Sequence, residues 1–252
     1  MTLQSFNRWT AFGAHLALSA LVAATVIGLV MWLWYPAPYF SAMGGETLLR
    51  LLIGVDVTLG PVITLIIFDT TKPRLRQDLA VVAALQVAAL AYGTYVMFQA
   101  RPVYSVFVKD RFEVVAANDV DPGSLDKAPP PFQALPLDGP RIVAANPPAD
   151  ADEAVTIALS AARGGPDVAH LPHLYAPYAQ AAGSVAKASR PLVSLSQKGL
   201  ESARAVNDFV RENGNGERTL GYLPVKGRNR DFAAVVDRKS GDIVGYVGVN
   251  PW

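Results

Sequence analysis

Between Arg8 and Glu46 the chain carries no Asp, Glu, Lys or Arg, and the same holds between Asp78 and Arg101. Between Arg50 and Asp69 the one charged residue is Asp56. A bilayer core takes about 20 apolar residues as helix, so the pattern predicts three transmembrane helices over about 12–35, 48–68 and 79–98. These stretches exclude an ordinary cytosolic globule. They also explain why only 17% of the 252 residues are charged, against about 25% in a typical soluble domain. A net charge of +1 gives no reason to expect nucleic acid, and membrane lipid is the partner that composition implies. The sequence has no cysteine, which removes disulfides, thiolate chemistry and Cys-ligated metals.

The first span is too long for a signal-peptide core, and Pro36-Ala37-Pro38-Tyr39 follows it in place of a small-residue cleavage site. It is read as uncleaved, with Trp9 at one end and Trp32, Trp34 and Tyr35 at the other, where amphipathic rings favour the headgroup level. The linker Asp69–Asp78 carries Lys72, Arg74 and Arg76. Cytoplasmic loops attract such residues, so this linker and the N-terminus are expected inside. Three crossings then put the C-terminus outside, in the periplasm if the membrane is a bacterial inner membrane. The expected fold class is a three-helix transmembrane N-terminal region, residues 1–100, plus a periplasmic α+β domain with an antiparallel sheet, residues 101–252.

Polar residues inside the spans are the candidate site. Asp56, Gly60 and Thr64 form one stripe at four-residue spacing, and Gln86, Ala89 and Gly93 form another. Small residues allow close helix approach and Gln86 adds a hydrogen-bonding amide. At ~1.5 Å rise per residue Asp56 lies ~18 Å from the inner end of its span and Gln86 ~10 Å from its own, so the two are not level. A carboxylate at mid-membrane costs ~2.5–3.5 kcal/mol on insertion scales unless paired, protonated or wet. Three roles stay open for Asp56: a structural tie, a partner contact, or part of an ion or proton pathway. Pro61 would kink its helix or free carbonyls for outside donors. His15, one turn inside the first span, reads as an interfacial residue reaching the headgroups.

From Arg101 onward the chain holds 17 basic and 17 acidic residues, enough chain for one compact domain. A hairpin is predicted over Val103–Val115 with its turn at Lys109-Asp110, and a short strand over Arg141–Ala145 in a Pro-rich loop. A helix should start at the Asp150/Glu153 cap. Another should run from Ser196 to Asn213, with Leu200, Ala203, Val206 and Val210 inward and Gly214-Asn215-Gly216 as its cap and turn. Strands follow over Thr219–Val225, Phe232–Asp237 and Asp242–Val249. His170 and His173 in HLPH have ligand-like spacing, but Pro172 breaks the helix such a pair would use, and no metal is expected. No G-x-S-x-G, Walker or dinucleotide fingerprint occurs, so neither an enzyme nor a cofactor is expected. Lys226, Arg228 and Arg230 read as a solvated connection, or as a contact for an acidic partner.

Several of these runs resemble the TfpX/TfpZ-type family of type IV pilin accessory proteins. They are Arg8-Trp9 leading into Phe12-Gly13-Ala14-His15-Leu16, Trp34-Tyr35-Pro36, Val55–Phe68, Asp78–Gln86, Ala88–Gly93, Arg101-Pro102-Val103, Arg111-Phe112, Tyr222–Gly227, Asp237–Asp242 and Pro251-Trp252. Gln77 departs from the pattern, where a second basic residue is expected. The resemblance implies a non-catalytic inner-membrane protein that helps a cognate type IV pilin reach or stay in the assembly-competent pool. On that reading the small-residue stripe of Ala89 and Gly93 is expected to grip the pilin's membrane helix while the 101–252 domain touches its head, and His15, at a similar depth, is expected to donate to a glutamate of that helix. The alternative is a membrane-anchored sensor whose periplasmic domain binds a small ligand.

Overall fold

The computed structural model describes residues 7–213 and 219–252. They form two compact units, one of residues up to Trp32 with Gly45–Gln99, the other of Leu33–Gly44 with Ala100–Trp252. The expected cap and turn at Gly214-Asn215-Gly216 lies outside the described residues.

The chain opens with α1 (Arg8–Leu33), the single turn α2 (Tyr39–Ala42), α3 (Gly45–Ile67) and α4 (Leu75–Gln99). Asn7 starts α1: its side-chain oxygen accepts from the N–H groups of Trp9 and Thr10 at 3.0 and 2.9 Å, which satisfies two of the orphan donors of the first turn. Helix α1 ends before Tyr35-Pro36, since the residue preceding a proline is driven out of the helical region. Helices α1, α3 and α4 are each long and apolar enough to cross a membrane. Leu18, Leu21 and Trp32 of α1, Ile66 of α3 and Val81, Leu85 and Val87 of α4 are all exposed.

The second unit is built on one sheet with strands β1 (Pro102–Val108), β2 (Arg111–Ala116), β3 (Arg141–Ala145), β4 (Tyr175–Pro177), β5 (Arg190–Pro191), β6 (Leu220–Lys226), β7 (Phe232–Asp237) and β8 (Ile243–Val247). The order is β4-β3-β1-β2-β6-β7-β8, with β5 also paired to β6. The hairpin turn at Lys109-Asp110 is present, with Lys109 in the left-handed region (φ 58), and Gly241 (φ 78) closes the β7–β8 corner. The sheet is mixed, which corrects the expected antiparallel one: β1–β3 and β2–β6 run parallel. Parallel neighbours need long crossovers. The Pro-rich segment after β2 supplies one, and the helices between β4 and β6 supply the other.

The short α5 (Pro122–Leu125) follows β2 and α6 (Ala151–Ala162) lies between β3 and β4, while the helices between β4 and β6 are α7 (Ala182–Ala188), α8 (Leu192–Ser196) and α9 (Leu200–Asn213). The helix expected over Ser196–Asn213 is thus two, broken before Leu200. Its inward face is also turned: Ser202, Val206 and Phe209 are buried while Leu200 is 80% exposed. Phe209 decides the rotation, because Gly245 lacks the Cβ that would collide with its ring. Asp150 caps α6 as expected by accepting from Asp152 N–H, but Glu153 turns away to His173 and no reciprocal box forms.

Helices α8 and α9 cover one face of the sheet, packing on Leu220, Tyr222, Ala233, Val235 and Val247. By strand alternation Phe232 and Tyr246 project from the other face. The Leu33–Gly44 segment covers that face. Tyr39 sits edge-on to Phe232 (5.5 Å, 83°) and to Tyr246 (5.7 Å, 76°), and its hydroxyl donates to Tyr246 Oη at 2.9 Å. Ala42 O accepts from Asn229 N–H at 2.8 Å, and Gly227 leaves room for the Ala42 backbone. Tyr35, Tyr39, Ala42 and Met43 are all buried. A stretch read from sequence as a mere connection is therefore part of the second unit's core.

Candidate functional site

Pro61 shapes the middle of α3. Residues Gly54–Leu59 form a π-helical turn, in which Gly60 N–H donates to Val55 O, five residues back. In that register the carbonyl of Asp56 faces Pro61, which has no N–H to give. The missing donor comes from the neighbouring helix: Gln86 Nε2 donates to Asp56 O at 3.1 Å. Gly60 makes this approach possible, because a Cβ there would collide with the Gln86 carboxamide.

The same carboxamide binds α1. His15 Nε2 lies 2.7 Å from Gln86 Oε1, and His15 Nδ1 lies 2.6 Å from Thr64 Oγ1. An amide oxygen only accepts, so Nε2–H is the donor, and in the neutral ring Nδ1 accepts from the Thr64 hydroxyl. His15, Gly60, Thr64, Gln86 and the Asp56 carbonyl thus form one polar seam through all three helices. This corrects the reading of His15 as a headgroup-reaching residue: both its ring nitrogens are engaged inside the helical unit. Its long side chain and the extra residue in the π turn bring elements together that ideal helix spacing puts apart.

The other predicted residues lie beyond the seam. Asp56, Ala89 and Gly93 line a cleft of about 230 Å³ together with Leu48, Val55, Tyr92 and Val96. Asp56 is 6% exposed, and its Oδ1 has no hydrogen-bond partner among the described residues. The seven candidates therefore divide between a closed seam and an open cleft, with Asp56 giving its carbonyl to the first and standing among the residues that line the second. Leu48, Val55 and Val96 were not singled out from sequence, since aliphatic residues in a span carry no distinguishing signal.

In the second unit His170 and His173 do not converge. His170 Nδ1 accepts from Asp167 N–H at 3.2 Å. His173 Nε2 meets Glu153 Oε1 at 2.9 Å and its Nδ1 meets Ser124 Oγ at 2.6 Å. Ser124 is buried and also accepts from His173 N–H at 3.1 Å, so this Ser–His–Glu chain staples α5 and α6 to the loop before β4. Among the described residues no group of three or more His, Asp and Glu gathers as metal ligands. The basic run is partly neutralised from within. Arg228 Nη2 reaches Asp119 Oδ1 and Oδ2 at 2.7 and 2.6 Å, and Lys226 lies 3.6 Å from Glu113. A groove of about 580 Å³ opens beside α6, lined by Phe107, Ala144, Ile157, Ala158, Val168 and Ala176 among others. Burial pushes the Tyr39 hydroxyl well above its ordinary value, and the neighbouring Tyr246 adds to the shift.

Residues 4–44 match the family described as "Fimbrial assembly protein FimB". The chain is 31% identical over 231 residues to "Fimbrial assembly protein, serogroup I" of Dichelobacter nodosus, covering 90% of this chain and 89% of that protein. It is 30% identical over the same length and shares to the serogroup E1 protein. It is 38% identical over 111 residues to the serogroups C1 and C2 protein, covering 43% of this chain and 84% of that one. No solved structure matches it.

Proposed function

Since the chain belongs to the fimbrial assembly protein family, we propose that it is a non-catalytic, chaperone-like accessory protein that keeps a cognate type IV pilin stable or competent for assembly. The observation that carries this reading is the likeness along nine-tenths of the chain to proteins named for fimbrial assembly. The TfpX/TfpZ-type resemblance is consistent with it. The protein would sit in a bacterial inner membrane through α1, α3 and α4, with the Lys72, Arg74 and Arg76 loop in the cytoplasm and the second unit in the periplasm. The packing of Leu33–Gly44 into the sheet supports this arrangement. Two long helices separate that segment from Ala100, and an even number of crossings returns the chain to the same side. A pilin before assembly is itself a membrane helix carrying a periplasmic head. A protein with an intramembrane cleft and a folded domain outside could hold both halves.

Deleting the gene in its host and restoring it in trans tests the function. Loss of surface pili or of the membrane pilin pool, restored by the full chain, is the expected result; unchanged piliation would reject the reading. Alkaline phosphatase fused after Trp252 should be active, whereas an inactive fusion would reject the topology. The groove beside α6 has the volume of a small-molecule site and favours a second reading, a membrane-anchored ligand sensor. Wild-type piliation in a variant with that groove filled by Ala158→Phe would leave only the pilin reading.

A further inference from the structure

Three residues of the second unit lie close, along the chain, to the ends of the long apolar helices. Pro36 follows Leu33, the last residue of α1, by three; Ala42 precedes Gly45, the first of α3, by three; Arg101 follows Gln99, the last of α4, by two. At about 3.6 Å of chain per residue at most, each is within roughly 11 Å of a helix end. Trp32, exposed in the last turn of α1, has the amphipathic ring that settles at the headgroup level.

Two loops of the sheet domain are fastened to these three residues. Arg101 Nε and Nη2 both donate to Pro136 O, at 3.2 and 2.9 Å. Gly139 approaches Pro36 so closely that a Cβ on it would stand 3.1 Å from Pro36 Cγ. Leu137, between these two tethers, is 70% exposed. Asp138 beside it lies 3.9 Å from Arg141, so the turn carries little net charge. The second loop is the β6–β7 connection, where Ala42 O accepts from the N–H groups of Asn229 and Arg230 at 2.8 and 3.3 Å. Lys226 and Arg228 of this loop face Glu113 and Asp119. The Arg230 side chain is exposed and has no partner among the described residues.

We propose that these two loops form a lipid-contacting surface, with Leu137 entering the boundary between headgroups and acyl chains and the Arg230 guanidinium binding a phospholipid phosphate. The inference rests on the reading that α1, α3 and α4 cross a membrane, and adds that the sheet domain itself touches the lipid. A large apolar side chain held at that boundary gains by leaving water. A guanidinium without an internal partner offers a phosphodiester its planar fork of donors. Tethers on both sides of Leu137, and at the Arg230 backbone, keep both side chains near the span ends. Leu200 is the counterexample: it is as exposed, but it starts α9, on the sheet face opposite the one that Leu33–Gly44 covers.

The chain has no cysteine, so single nitroxides can be placed on the full chain in vesicles of phosphatidylethanolamine and phosphatidylglycerol. Leu137→Cys, Leu200→Cys and, from the middle of α4, the exposed Leu85→Cys are labelled. Relaxation by oxygen, which concentrates in lipid, is compared with relaxation by a water-soluble nickel chelate. The oxygen-to-nickel ratio should be highest at 85, lower at 137 and lowest at 200. If Leu137→Cys does not accumulate, Asp138→Cys in the same exposed turn takes its place, with the same order expected. For the second contact, protein carrying carbon-13 in its guanidinium groups is dephased against lipid phosphorus in the solid state. Arg230→Gln should lower the dephased signal by one arginine's share. Equal ratios at 137 and 200, or an unchanged dephased signal in Arg230→Gln, would overturn the lipid surface. A lipid-like 85 beside a water-like 137 leaves the membrane reading standing and removes this inference alone. A water-like 85 removes the membrane reading itself.

Discussion

Replacing Tyr39 with alanine should loosen a sheet whose last strands lie some two hundred residues away in sequence. Tyr39 is 4% exposed, meets two rings edge-on and bonds Tyr246 through its hydroxyl. Truncating a buried aromatic to alanine costs about 3–5 kcal/mol, which includes the cavity it leaves. With about 1.4 kcal/mol per factor of ten, amides of β7 and β8 that exchange through opening of the sheet should exchange faster by roughly two to three and a half powers of ten. Tyr39→Phe keeps both ring contacts and removes only the hydroxyl bond, a loss of about 1 kcal/mol or roughly fivefold. Hydrogen exchange read by mass spectrometry on the full chain in nanodiscs resolves the two variants. A change below about threefold at β7 in Tyr39→Ala would refute the claim that the segment after α1 is a load-sharing part of this core.

The same packing predicts that residues 100–252 made alone expose Phe232 and Tyr246, bind a hydrophobic dye and melt earlier than in the full chain, and that a 33–44 peptide added in trans reverses both; an unresponsive fragment would count against it. Gly60→Ala should weaken the helical unit in thermal scans of the detergent-solubilised protein by breaking the Gln86 contacts, whereas Gly54→Ala, whose Cβ would meet nothing, should be neutral; equal effects would show that the seam is not at Gly60. The hydroxyls of Tyr35, Tyr39 and Tyr175 are raised, chiefly by burial, so their folded pKa values exceed the unfolded value near 10. Their contribution to stability is then complete below about pH 10 and is lost as the pH rises further, because the unfolded chain releases its protons first, by up to about 1.4 kcal/mol per pH unit for each group. Phenolate absorbance should therefore rise together with unfolding above that pH, and a smooth titration of all tyrosines near 10 in the folded protein would contradict it.

Much of the architecture was legible because it is written in local pattern. The charge gaps located α1, α3 and α4, and alternation located β1, β2, β6 and β7, since both depend on residues close in sequence. The parallel pairings escaped because nothing local in β3 or β6 states which distant strand will lie beside it. The Leu33–Gly44 segment escaped for the same reason: Tyr35, Tyr39 and Phe40 look like membrane-interface aromatics until Phe232 and Tyr246 are seen beneath them. In the candidate site, each of the two stripes is split: Gly60, Thr64 and Gln86 meet in the seam, while Asp56, Ala89 and Gly93 line the cleft. What ideal spacing could not supply was the π turn. It moves an orphan carbonyl to Asp56, where the Gln86 amide spans the difference in level.

The bond between Tyr39 and Tyr246 closes a loop of 207 residues, and this has a consequence for synthesis. Tyr39 leaves the ribosome early, yet its resting place is made only by the final strands. Contacts of such separation form late and slowly, so a nascent or truncated chain carries an uncovered aromatic turn between its first two helices until translation is nearly finished. That bare turn marks an unfinished molecule, a handle by which proteolytic quality control could tell it from a complete one.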